Sequence, residues 1–216
     1  MPSDLDKLKP HLSRLAIFPL PSAVLLPYEL LPLHIFEPRY KIMIARCLSE
    51  QIEFGVLLAR EEGTVKVGCT AEIVQKLKDH PDGRMDIMTE GRSIFRMIEM
   101  LEEKEYYEGL VQYFPDDTLP HDARKEARLT QLFQQVYSIL AGQPWPIEDS
   151  DPEVPLAYRM AARLPLESPQ KQELLEMRAE GARRDYLLRW LANFLPQLQH
   201  RVRIRQRAAG NGHGLN

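Results

Sequence analysis

The sequence LPLHIFEPRY, residues 31–40, marks the point where a strand pattern gives way to a helix pattern. Proline at position 38 suits the first helical position, because the N–H that proline lacks would have no helical partner there. Apolar residues then recur at the spacing of one helix face, at Tyr40, Met43, Ile44, Cys47 and Leu48. The pattern predicts a helix that buries this face, with the Cys47 thiol inside.

Short apolar segments flank this helix throughout the first half of the chain. Upstream, residues 14–36 contain four prolines, and because proline donates no ladder hydrogen bond we expect short strands with bends. Downstream, strand patterns occupy residues 54–58, 65–77, 84–90, 94–101 and 106–114, with a hairpin turn at 79–83. These segments predict a small, strongly bent sheet or barrel.

Helical spacing dominates the second half of the chain. Helices are predicted at about 122–141, 156–163 and 168–181, and from residue 182 onward, where Pro196 should kink or break the last helix. We therefore expect an α+β chain with a β-barrel subdomain at 12–118, a helical bundle at 119–207 and a disordered tail at 208–216.

Composition and charge exclude several classes of protein. The chain has 216 residues, 44% of them hydrophobic, and a net charge of −3, which excludes a polycationic tail and an acidic disordered chain. The charge is uneven: residues 1–118 carry 14 basic and 20 acidic side chains (net −6), and residues 119–216 carry 14 and 11 (net +3). Two cysteines exclude a disulfide scaffold and a four-cysteine zinc site. The lack of a signal-like or membrane-spanning segment predicts a cytoplasmic location, free thiols and no membrane contact.

Motifs of catalytic or cofactor chemistry are incomplete in the sequence. Residues 63–68 have the glycine spacing of a phosphate-binding loop, but Cys69 stands where that loop needs a lysine. His34 and Glu37 have the spacing of a metal-binding pair, but a strand–helix junction separates them, so we expect no metal site and no cofactor. Cys47 lacks a local base. We rank an enzyme that uses a pocket near His34 or Cys69 third among the possible functions, after the two binding functions described below.

The order of the segments resembles the N-terminal, substrate-binding domain of the Lon protease family. The resemblance covers about residues 12–200, and its matching pieces are residues 18–20, 26–27, 31–40, 54–56, 67–73, 82–84, 91–96, 164–166 and 171–176. It implies a PUA-like, bent β-barrel followed by a helical bundle, in a region that engages substrate proteins. In that family an ATPase module and a Ser–Lys peptidase module follow this domain. Because the sequence ends at Asn216, we expect a stand-alone module that is not an enzyme.

The same segments supply the candidate binding residues: His34, Phe36, Glu37, Arg39, Tyr40, Arg84 and Arg92. Residues 34–40 also suit a structural clasp between strand and helix, in which Glu37 lies at the positive end of the helix and Arg39 needs a partner. The expected ligand is an unfolded polypeptide or a specific protein partner, and we assign no oligomeric state.

The alternative function is RNA or nucleic-acid binding through the PUA-like barrel and a basic cluster near the end of the chain. That cluster consists of Arg201, Arg203, Arg205 and Arg207. Such side chains could contact phosphates. The net charge of −6 in the barrel half disfavours this partner, and we expect no nucleic acid.

Overall fold

A computed structural model describes residues 12–61, 63–101, 103–113, 122–146 and 155–210. Within these residues the chain forms seven strands and five helices, which confirms the α+β class. The strands are β1 Leu12–Leu20, β2 Leu30–Ile35, β3 Phe54–Arg60, β4 Gly63–Thr64, β5 Val67–Asp79, β6 Met85–Leu101 and β7 Glu108–Tyr113. The helices are α1 Pro38–Glu50, α2 Ala123–Ala141, α3 Leu156–Ala161, α4 Ser168–Glu176 and α5 Glu180–Gly210. The described part contains no helix long and apolar enough to cross a membrane.

The chain divides into two compact units whose boundaries differ from the predicted ones. Of the described residues, those within 1–116 and 165–178 form the sheet unit, and those within 117–164 and 179–216 form the helical unit. Residues 165–178 were predicted within the helical bundle, but α4 buries Leu174 and Leu175 in the sheet unit. The Gln172 side chain also donates a hydrogen bond of 3.1 Å to the Val67 carbonyl of β5. Burial of these apolar side chains accounts for the placement of α4 with the strands.

Strand β6 is the central element of the sheet. It pairs antiparallel with β5, β7 and β2, while β3 pairs antiparallel with β5 and β4. Strand β1 pairs antiparallel with β7 and parallel with β3. We describe this arrangement as a seven-stranded sheet and not as a closed barrel.

The prediction of two separate strands at 84–90 and 94–101 is wrong, because β6 runs unbroken through Gly91. The absence of a side chain at Gly91 serves a close approach of backbone: an added Cβ would lie 2.1 Å from the Leu26 carbonyl oxygen. The glycine therefore permits contact between chain segments and does not end the strand.

The core of the sheet unit includes four of the five residues predicted on the buried face of α1, while the fifth, Leu48, is half-buried. Helix α1 buries Tyr40, Met43, Ile44 and Cys47, and its C-cap is Gln51, which has the left-handed φ of 52°. One apolar cluster within the sheet consists of Leu15, Ile17, Leu57, Phe95, Met97 and Val111. Each of these large side chains contributes roughly 1.5–3 kcal/mol when fully buried.

The helical unit begins with α2, whose N-cap Asp122 accepts hydrogen bonds from the backbone N–H groups of Arg124 and Lys125. Helix α5 continues through Pro196, so of the predicted kink or break the structure excludes the break. Leu191, Leu195 and Leu198 are buried on either side of the exposed proline, and their packing offsets the lost backbone hydrogen bond. Residues 208–210 of the predicted tail belong to α5, and residues 211–216 lie outside the described residues.

Candidate functional site

Three neighbouring strands, β2, β6 and β5, carry the candidate site of the sheet unit. Their register aligns three cross-strand rows: Leu30–Glu90–Glu72, Pro32–Met88–Gln75 and His34–Asp86–Lys78. Because residues directly opposite each other in a sheet share a face, these nine side chains lie on one side, which we call the outer face. The alternate β2 residues Leu33 and Ile35 are buried.

His34 lies at one end of the outer face, against Asp86 and His80, two residues that are not among the predicted binding residues. Its Nδ1 atom lies 2.5 Å from Asp86 Oδ1, and His80 Nε2 lies 2.9 Å from Asp86 Oδ2. Hydrogen bonds from His34 and then from His80 hold the pKa of the Asp86 carboxyl below its ordinary value. Asp86 lies 52 residues from His34. The spacing of residues in a local motif therefore cannot reveal this cluster. A prediction of which strands pair, and in which register, could have revealed it.

Phe36 follows β2 and is 58% exposed. Its ring stacks on His34, with centroids 6.0 Å apart and an angle of 24° between the planes. Leu30, at the other end of β2, is 59% exposed. The edge of the outer face thus presents two large apolar side chains to solvent.

Glu37, Arg39 and Tyr40 brace the junction between β2 and α1. Arg39 Nε donates to Glu37 Oε2 at 2.9 Å, and its guanidinium lies 4.6 Å from the centre of the Tyr40 ring. Tyr40 is buried edge-to-face on Phe18, with centroids 4.3 Å apart, and this burial raises the pKa of its hydroxyl. These contacts suit the structural clasp predicted from the sequence.

Arg84 and Arg92 are engaged by neighbouring carboxylates. Arg84 Nε lies 2.6 Å from Asp82 Oδ2 beside the hairpin turn. Arg92 contacts Glu72 at 2.6 Å and Glu90 at 2.8 Å. Because those two glutamates face each other across β5 and β6, the guanidinium offsets a like-charge pair. Both arginines therefore have a structural use.

A polar cavity of about 580 Å³ also opens in the sheet unit, beside β1, α1 and β7. Three cations line it, and each contacts a carboxylate: Arg14 contacts Glu103, while Arg46 and Lys104 contact the buried Glu108 at 3.2 and 2.7 Å. The three cationic side chains that could bind an anionic ligand in this cavity are therefore already paired with carboxylates.

The two thiols are buried and poorly suited to nucleophilic chemistry. Burial raises the pKa of Cys47 to about 11 and also raises the pKa of Cys69. A thiolate is the reactive form of cysteine, so neither residue is activated. This weakens the part of the enzyme hypothesis that rests on Cys69 and does not bear on the part that rests on His34.

The predicted basic cluster lies on α5. Arg201, Arg203 and Arg205 are exposed. Because residues two apart on a helix point in nearly opposite directions, these side chains distribute around the axis and form no single basic stripe. The side chain of Arg207 lies outside the described residues.

Comparison with known proteins gives a consistent family. The profile of the "ATP-dependent protease La (LON) substrate-binding domain" matches residues 14–193. The Lon protease of Escherichia coli (strain K12) is 27% identical over 209 residues, which cover 88% of this chain and 26% of that protein. Lon protease 2 of Syntrophobacter fumaroxidans is 26% identical over 208 residues, which cover 90% and 26%. The chain thus spans about a quarter of the length of these relatives.

Solved structures show the same fold. A Lon N-terminal domain protein from Xanthomonas campestris has a TM-score of 0.63 and 25% identity, covering 82% of this chain and 98% of that one. The N-terminal domain of the Mycobacterium avium complex Lon protease has a TM-score of 0.63 at 17% identity, covering 83% and 98%, and supports the fold alone. With a family profile that matches residues 14–193, the chain belongs to the LON substrate-binding domain family.

Proposed function

We propose that the chain is a non-enzymatic module that binds polypeptide segments along β2 and the outer face. The observation that carries the proposal is the exposure of Leu30 and Phe36, 59% and 58%, at the two ends of one strand. The exposed Pro32 lies between them on the same face, and apolar side chains exposed along one strand suit contact with an extended polypeptide. The family to which the chain belongs is named for substrate binding, which supports a polypeptide as the ligand.

The position of β2 in the sheet suits an extended ligand. Among the described residues, β2 pairs with β6 and with no other strand. An extended segment could add to the other edge of β2, where backbone hydrogen bonds would supply affinity. Pro32 lacks an N–H and limits that ladder, so contacts with Leu30 and Phe36 would supply much of the remaining binding energy.

The charge of the site favours protein over nucleic acid. Residues 1–118 carry a net charge of −6, and Arg84 and Arg92 are paired with carboxylates. Nucleic-acid binding needs cations that neutralise phosphates. An apolar polypeptide segment of neutral or positive charge does not need such cations and is not repelled by the acidic sheet region. The predicted cytoplasmic location and the absence of enzymatic activity stay predictions.

The test is a binding titration with an unfolded polypeptide. The probe is labelled lysozyme that has been reduced and alkylated with iodoacetamide, which leaves it unfolded and positively charged, and fluorescence anisotropy reports the dissociation constant. The Leu30→Ser/Phe36→Ser double variant should weaken binding about tenfold or more, because each side chain contributes roughly 1 kcal/mol or more when buried by the ligand.

Ile204→Ser is the matched control, since Ile204 is also exposed (53%) but lies on α5. It should bind as the wild-type chain does. Unaltered binding by the double variant, or equal loss in the control, would show that the outer face is not the binding surface.

A further inference from the structure

We propose that His34, His80 and Asp86 form a binding site for a divalent transition-metal cation such as Zn²⁺. The three residues come from β2, from the β5–β6 turn and from β6. Their donor atoms, one from each residue, all lie within 4.8 Å of one another. The proposal revises the expectation of no metal site, which rested on local sequence spacing.

The fold itself brings the three side chains together, without the need for a bound metal. His34 and Asp86 are direct cross-strand partners. His80 is fixed by the hairpin turn, where its N–H donates to the Arg84 carbonyl at 2.8 Å and its carbonyl accepts from Gly83 at 2.9 Å. Phe36 stacks on the His34 ring. A cation would therefore meet donors that already lie close together, with little ordering left to do.

Chemistry of the donor set selects the class of ion. Imidazole nitrogens suit zinc, copper and nickel, whereas magnesium and calcium prefer sites made of oxygen atoms. Two histidines and one carboxylate are three ligands, and a fourth position is left for water or for a group from a bound molecule. Such a set is typical of zinc sites that exchange their fourth ligand.

Distances within the cluster fit this set after a small movement. Asp86 lies 2.5 and 2.9 Å from the two imidazole nitrogens. Ligand atoms bound to zinc at about 2.0–2.1 Å lie roughly 3 Å or more apart in a tetrahedral shell. The side chains of His34, His80 and Asp86 are 45%, 19% and 30% exposed, so they have room to separate. A cation can enter from solvent.

The surrounding charge moderates the affinity. Lys78 faces Asp86 across β5 and β6, and its ammonium repels a cation. Partial exposure also favours exchange with solvent. We therefore expect reversible, micromolar binding and not a buried structural ion.

The same contacts also fit a purely structural role, in which Asp86 joins β2 to the hairpin by two hydrogen bonds. Isothermal titration of the full chain with ZnCl₂ in chelator-free buffer separates the two. The metal proposal expects one ion per chain at this affinity, and zinc should raise the melting temperature. His80→Ala and His80→Gln should each weaken binding about tenfold or more and abolish the thermal shift.

His200→Ala is the control, because His200 is an exposed histidine on α5. It should bind zinc as the wild-type chain does. No zinc binding by the wild type, or unchanged binding by both His80 variants, would overturn the proposal. Polypeptide binding is measured without zinc, so failure of one proposal leaves the other standing.

Discussion

Replacing Gly91 with alanine should destabilise the sheet unit severely, because the new methyl group would meet backbone. Its Cβ would lie 2.1 Å from the Leu26 carbonyl oxygen and 2.9 Å from the Leu26 carbonyl carbon. The segment that must yield is tied to the same glycine: Gly91 N–H donates to the Glu29 carbonyl at 3.0 Å, and Tyr28 N–H donates to the Gly91 carbonyl at 2.8 Å. Relief of the clash therefore strains or breaks these hydrogen bonds.

The expected loss follows from those contacts. Overpacking costs about 1–3 kcal/mol, and each lost hydrogen bond costs roughly 1 kcal/mol, so we expect about 2–5 kcal/mol. Gly109→Ala is the matched control in the same sheet. Its Cβ would meet the Met97 Cε and Sδ atoms at 2.4 Å, the end of a flexible side chain that can rotate away, and it would lie 3.3 Å from the Glu99 carbonyl oxygen, a much milder backbone contact than the one at Gly91. We expect a loss of about 1 kcal/mol or less there.

Urea denaturation followed by far-ultraviolet circular dichroism measures both variants, and hydrogen exchange of β6 peptides locates the effect in the sheet unit. The two tryptophans, Trp145 and Trp190, lie in the helical unit, so their fluorescence would not report it. A Gly91→Ala chain as stable as the Gly109→Ala chain would refute the reasoning from backbone contact.

Two further changes test burial. Leu175→Ala on α4 should lower the free energy of unfolding of the sheet unit by about 2–5 kcal/mol, because Leu175 is fully buried, whereas the exposed Glu173→Ala should change it little; equal effects in a urea titration would argue against packing of α4 on the sheet. The pKa of Cys47 is raised from about 9 to about 11, so the folded state holds this proton more tightly than the unfolded state. Its contribution to stability is full below pH 9 and is lost as the pH rises towards 11; Cys47→Ala should flatten that loss in urea midpoints measured from pH 8 to 11, and parallel curves would contradict the assignment.

Much of the fold follows from local patterns in the sequence. Pro38 and the stripe that begins at Tyr40 predict α1, and Gly142 predicts the end of α2, where its φ is 72°. Such features act within a few residues, so spacing alone reveals them. The strand patterns on either side of Gly91 predict an interruption there, and that prediction is wrong because the need for a glycine arises from Leu26, which contacts it only in the folded chain.

The candidate site divides in the same way. The sequence places Phe36 and His34 beside each other, two residues apart at the end of a strand. Asp86 joins them through the pairing of β2 with β6, a register that depends on the whole sheet, and His80 joins them through the hairpin turn that precedes β6. The membership of α4 in the sheet unit likewise depends on tertiary packing, which its helical periodicity does not specify.

That return of α4 has a consequence for biosynthesis. A ribosome delivers strands β1 to β7 first, then the start of the helical unit, and only afterwards residues 165–178. Until then, α4 does not cover its positions on the strands, because Gln172, Leu174 and Leu175 have not yet been synthesised. The Val67 carbonyl also lacks its hydrogen bond from the Gln172 side chain. Long-range contacts of this kind form late and expose apolar surface in the interval. A nascent chain arrested before residue 165 should therefore have an incompletely packed sheet unit. Packing should be completed only when α4 has been synthesised and has left the ribosome.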